Sequence, residues 1–228
     1  NQHMRVTPPG GVAIISACLK REGFHNMELF DATWYPVDQE DFSRPDRDKE
    51  RAKRQMFPEY KWERDDVEPD FFTLENENMY AAWRKKVVEY KPDVIISSIV
   101  EDTYYLWNKF MDQISDRKFI SVVGGVFVTY YPQAFEGKCD YICRGEGDEA
   151  IPELMNFIEQ GKDGHHLQNI HPNPMRPALN VNTLPPTDHE IFDKRSLYRP
   201  FQGKIIKVAT VETQRGCPFK CKFCNSPS

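Results

Sequence analysis

The residues best suited to chemistry lie in the run Arg215-Gly216-Cys217-Pro218-Phe219-Lys220-Cys221-Lys222-Phe223-Cys224. Its cysteines follow the spacing C-x3-C-x2-C. Three thiolates on one tight loop can converge on one cofactor. A cubic iron–sulfur cluster has four irons, and a bacterial ferredoxin holds it with four cysteines at a different spacing. Three ligands leave one iron open to a substrate that brings its own amine and carboxylate. Structural zinc is the competing use, but zinc favours C-x2-C pairs and four protein ligands. Here one gap is three residues, no Cys or His follows Cys224, and the nearest upstream histidine is His189. Arg215, Lys220 and Lys222 bring positive charge towards a cluster of net negative charge; simple solvation is their plainer use.

A loop of this kind needs elements to hold it. Lys204 to Glu212 (KIIKVATVE) reads as a strand that delivers the cysteines. Upstream, helices and strands alternate. Val12, Ile15 and Leu19 give Val12 to Arg21 a helical apolar spacing, closed by Gly23. Met27 to Phe30 reads as a short strand. Asn78 to Tyr90 reads as a helix stopped by Pro92. Val94 to Val100 is a nearly continuous apolar run, as in a parallel strand covered on both faces. A helix over Thr103 to Ile114, strands over Phe119 to Val123 and Tyr141 to Cys143, and a helix over Ala150 to Ile158 complete the series. This order predicts an α/β fold with an open parallel sheet and helices on both faces. Ligands of such sheets bind at the carboxyl ends of the strands, where Asp31, Ser97-Ser98, Gly124-Gly125 and Arg144-Gly145 fall.

With the Arg-Gly turn before it and an aromatic residue inside it, the cysteine motif resembles that of the radical S-adenosylmethionine enzymes. The resemblance implies a [4Fe–4S] cluster on Cys217, Cys221 and Cys224, with Phe223 near the adenine of S-adenosylmethionine. It also implies a radical formed by one-electron cleavage of that cofactor, and an electron donor such as flavodoxin or ferredoxin. The front half resembles the cobalamin-binding subgroup of the same family. The matching pieces are Pro8-Pro9-Gly10-Gly11, Phe30-Asp31-Ala32, Pro92 to Ser98, Val122 to Gly125 with Thr129 and Pro132, and Asp140 to Ala150. The last contains Arg144-Gly145-Glu146-Gly147-Asp148, akin to an "RGEGE" strand-to-helix turn. The resemblance implies a flavodoxin-like (Rossmann-like) domain with cobalamin contacts at Ser98, Gly124, Gly125, Thr129, Gly145, Glu146 and Gly147. The chain departs from many relatives in lacking D-x-H-x-x-G, whose His ligates cobalt. Asp163-Gly164-His165 begins that way, but Gln168 stands where Gly is required. Phe127 occupies the position where a His often follows the glycine pair.

The expected organisation is a cobalamin-binding-type domain over 1–160, with an insertion at about 36–75, a linker over 161–203, and the first strand and cluster loop of a TIM-type barrel over 204–228. On that reading the chain is the N-terminal part of a longer enzyme for radical-initiated methylation, cyclisation or rearrangement of a small-molecule or peptide substrate. Two alternatives stay open: a non-catalytic module that binds cobalamin or another ligand, and a zinc-stabilised interaction domain. Net charge is −5, which gives no global reason for nucleic-acid binding. No apolar run reaches membrane-spanning length, and nothing at the start reads as an export signal, so a cytoplasmic location and reduced thiols are expected. Cys18, Cys139 and Cys143 read as small buried hydrophobes. Glu146 and Glu149 read as partners of a helix dipole.

Overall fold

A computed structural model describes residues 8–36, 74–201, 204–212, 215–216 and 221–222. The insertion read at 36–75 lies almost wholly outside the described residues, as do Cys217, Phe223 and Cys224. The described residues form an α/β fold around a three-stranded parallel sheet, β1 (Val94–Ser98), β2 (Ile120–Gly124) and β3 (Tyr141–Ile142), in that order. The register pairs Ile96 with Val122 and Val122 with Tyr141.

Period-two alternation divides the apolar side chains between the two faces. On one face Val122, Tyr141 and Cys143 pack with Leu19 of α1 (Gly10–Arg21) and with Ile151 and Leu154 of α5 (Ala150–Glu159). On the other, Val123 and Ile142 meet Trp107 of α3 (Tyr104–Asp112), Val128 of α4 (Val126–Tyr130) and Phe135. Ile95 continues that layer against Val87 of α2 (Met79–Tyr90). The helix α2 begins where sequence logic puts it: the Asn78 side chain accepts from the Tyr80 and Ala81 amides, and Lys91 ends the helix in a left-handed conformation.

Three segments differ from the sequence reading. Met27 to Phe30 forms no strand: it makes no ladder with the described strands, and it lines the same open cavity as Val94 to Ser98. The Phe30 ring packs instead on Tyr35 and Trp83, with centroids 5.3 and 5.2 Å away. Residues 164–176, expected to lead away from the domain, pack into it. Leu167 and Ile170 are core residues, and Ile170 bridges Cys143 in antiparallel fashion. Finally, the strand expected over 204–212 is short. It is β5 (Lys204–Lys207), paired antiparallel with β4 (Tyr198–Phe201), so among the described residues it forms a hairpin rather than the parallel start of a barrel. Beyond it, the Thr210 hydroxyl donates to Pro8 O at 3.4 Å, which brings the path towards the cysteines back to the start of α1.

Candidate functional site

Parallel strands end together, so the turns that follow them meet at one end of the sheet. Gly125, after β2, has φ +110°; a Cβ there would stand 2.6 Å from Ile99 O and 2.8 Å from Ile99 N. Only glycine lets these two backbones approach so closely. The Ile99 amide donates to Gly124 O at 2.8 Å, which fixes the β1 turn against the β2 turn. Thr129 extends the chain of contacts: its hydroxyl donates to Gly125 O at 3.0 Å and accepts from the Gly145 amide at 2.9 Å. Predicted as a ligand contact, Thr129 thus spends its hydroxyl joining the turns after β2 and β3.

The turn after β3 is held from a direction that the sequence did not suggest. Asn169, buried and left-handed at φ 68°, donates through Nδ2 to Arg144 O at 2.6 Å and to Glu146 O at 3.2 Å. Its Oδ1 accepts from the Arg176 amide at 3.0 Å. The available signal was modest: Asn tolerates the left-handed region better than other non-glycine residues. Glu146 Oε2 accepts from the Leu179 amide at 2.7 Å, so this carboxylate is a structural acceptor. Asp148 is the only acidic residue among the described residues that is buried, at 3% exposure. It receives both Nη atoms of Arg215 at 2.7 Å. Arg215 also donates through Nε to Glu212 at 2.8 Å, and Nη1 lies 3.3 Å from Glu146 Oε1. The hydrogen-bonded Asp148 carboxylate, with Glu212, raises the Arg215 pKa far above its usual value, so it is permanently cationic.

All seven predicted cobalamin contacts, Ser98, Gly124, Gly125, Thr129, Gly145, Glu146 and Gly147, line one cavity of about 2240 Å³. It runs along β1, an edge strand among the described residues, and Glu212, Arg215 and Gly216 also line it. Gly10 and Gly11 also line it, and nothing lies within 4 Å of where their Cβ atoms would stand. His165 is not part of this wall. Its Nδ1 lies 2.5 Å from Asp163 and its Nε2 3.1 Å from Asp140 O, just ahead of β3 at the opposite end of the sheet.

Of the three motif cysteines, only Cys221 is among the described residues, and it is exposed. No group of three or more His, Cys, Asp or Glu among the described residues could hold a metal ion. Cys18 and Cys143 are buried, with pKa values pushed up to about 11 and about 12, chiefly by burial; for Cys18 the Asp148 charge adds to the effect. Burial likewise pushes the half-buried Cys139 up to about 12. These thiols stay neutral and serve the core. Cys139 precedes β3 and packs on the opposite layer from Cys143, so the two do not share a face.

Residues 54–155 match the model of the B12 binding domain. An uncharacterized methyltransferase of Pyrococcus horikoshii is 27% identical over 160 residues, covering 62% of this chain and 33% of that protein. The anaerobic magnesium-protoporphyrin IX monomethyl ester cyclase of Rubrivivax gelatinosus is 24% identical over 160 residues, 62% of this chain and 28% of the cyclase. The hopanoid C-3 methylase of Methylococcus capsulatus is 33% identical over 99 residues, 40% of this chain and 18% of the methylase. The chain thus spans about a third or less of the length of these relatives. No solved structure matches. With its central residues matching the model of the B12 binding domain, and with methyltransferases and a cyclase among its relatives, the chain's resemblance to the cobalamin-binding radical S-adenosylmethionine enzymes holds.

Proposed function

We propose that this chain supplies the cobalamin-binding domain and the cluster loop of a radical S-adenosylmethionine enzyme. The observation that carries the proposal is a single cavity. Its walls join the turns after β1, β2 and β3 to Arg215 and Gly216, the two residues ahead of Cys217. The cavity exceeds the roughly 300–1,000 Å³ of an ordinary small-molecule pocket, which suits a ligand as large as a corrin. Bare backbone at Gly10 and Gly11 and the exposed Ser98 leave a surface that a ligand can approach closely. With no histidine at position 127 and with His165 at the other end of the sheet, this chain offers cobalt no ligand from those two positions.

Cys217, Cys221 and Cys224 form a donor set of three soft thiolates, suited to a [4Fe–4S] cluster with one open iron. When bound, the cluster and S-adenosylmethionine supply radical chemistry, and cobalamin supplies a methyl carrier. The chain's own contribution is to orient both groups on one cavity. Phe223 would lie beside the adenine. The methyltransferase and methylase among the relatives favour methylation of an unactivated carbon; the cyclase supports ring formation as a second reading. An electron donor such as flavodoxin or ferredoxin and a reducing, cytoplasmic setting suit this chemistry. Among the described residues no helix is long and apolar enough to cross a membrane.

Equilibrium dialysis with hydroxocobalamin tests the reading. Wild-type chain should retain it stoichiometrically. Gly124→Leu, whose Cβ would meet nothing closer than 3.7 Å, should fold yet bind much more weakly, because its side chain enters the cavity. No retention by the wild-type chain would overturn the assignment.

A further inference from the structure

Arg215 stands two residues before Cys217, yet its guanidinium is committed to the turn after β3. It grips Asp148 with two 2.7 Å hydrogen bonds and Glu212 with one of 2.8 Å. Asp148 lies in the turn that carries Gly145, Glu146 and Gly147. That turn is pinned elsewhere by Thr129 on the Gly145 amide and by Asn169 on the carbonyls of Arg144 and Glu146. Such pinning transmits a displacement instead of absorbing it. A buried carboxylate tolerates poorly the loss of its cation, so the pair has two states, made or broken, with little between.

We infer that Arg215 is a positioning residue whose pair with the buried Asp148 couples occupancy of the cluster loop to occupancy of the cobalamin turn. This rests on the functional reading above. Cluster assembly holds the backbone ahead of Cys217, and with it Arg215, against Asp148. That contact holds the 145–148 turn in the shape that receives the ligand. Linkage makes the effect reciprocal: each group strengthens retention of the other by the same factor, on the order of tenfold. The bidentate fork matters, because a lysine presents a point charge and cannot reproduce it.

The test uses the full chain, reconstituted anaerobically with iron and sulfide or left without them. Hydroxocobalamin affinity is measured in both states, and the rate of iron loss to a chelator is measured with and without hydroxocobalamin. In the wild type, the cluster should tighten cobalamin binding about tenfold, and cobalamin should slow iron loss by a similar factor. Arg215→Lys and Asp148→Asn should each still take up both groups, but with the ratio reduced to near one. The double variant should show no further loss. Glu212→Gln, which removes only the outer contact, keeps the test open if Asp148→Asn fails to fold; it should lower the ratio partway. A residue that merely stabilised the fold would weaken both groups and leave the ratio intact, so an unchanged ratio in the variants overturns the coupling. A wild-type ratio of one overturns it as well. Failure of the wild type to take up cluster or cobalamin at all would instead overturn the functional reading beneath it.

Discussion

At its β3 edge the sheet is closed by the chain itself, whereas along β1 it faces a cavity. Beyond β3, the Arg144 amide donates to Asn169 O at 2.7 Å, the His171 amide donates to Ile142 O at 2.9 Å, and Ile170 is fully buried. Along β1, the mid-strand residue Ile96 is 38% exposed, and Val94 to Ser98 line open space. Among the described residues this edge has no partner strand, which is normally a liability. Here it borders the cavity that collects the candidate site, so packing at one edge supplies rigidity and openness at the other supplies room. The site sits where the two regimes meet: its turns are fixed from the β3 side and its volume lies on the β1 side.

Breaking the junction should cost most. Gly125→Ala places a methyl group against the Ile99 backbone at a positive φ, and should destabilise the fold by about 3–5 kcal/mol in denaturant titration. Next comes the closed edge. Asn169→Ala removes three hydrogen bonds from buried surroundings and should cost about 2–3 kcal/mol, with cobalamin binding weakened because the 144–146 carbonyls lose their anchor. A smaller effect is expected at Asp188, where the chain after the domain returns to α1. Burial opposes its charge, but the hydrogen bonds from Lys20 and Ser16 prevail and hold its carboxyl below the usual range. That contribution is present at neutral pH and is lost as pH falls below the ordinary carboxylate value of about 4. Asp188→Ala should therefore cost about 1–2 kcal/mol at pH 7, and the difference should shrink in acid melts. Ile96→Ser, on the open edge, should change stability by under about 0.5 kcal/mol. A large loss there would mean that this edge is packed, and the contrast would fail.

Much of this was legible in the sequence, for identifiable reasons. The apolar runs gave β1 and β2 within two residues, because strands covered on both faces carry no competing pattern. The glycine turns were readable because backbone that must approach backbone admits little else. What escaped was long-range. No local rule joins Asn169 to the turn after β3, or Arg215 to Asp148 across the chain. The segment around Leu167 and Ile170 looked like a linker because its Pro, Asn and His outweigh two apolar residues, yet those two complete the core. Met27 to Phe30 has strand composition, but pairing depends on a neighbour at strand spacing, which composition cannot supply.

In the proposed enzyme one chain presents a cluster loop and a corrin cavity to each other. Anaerobic loading with iron and sulfide, followed by metal and sulfide analysis, tests the cluster loop. Four irons and four sulfides per chain are expected, lost together in the Cys217→Ala, Cys221→Ala, Cys224→Ala variant. Stoichiometric zinc without sulfide, retained by the wild type and indifferent to iron, would contradict it.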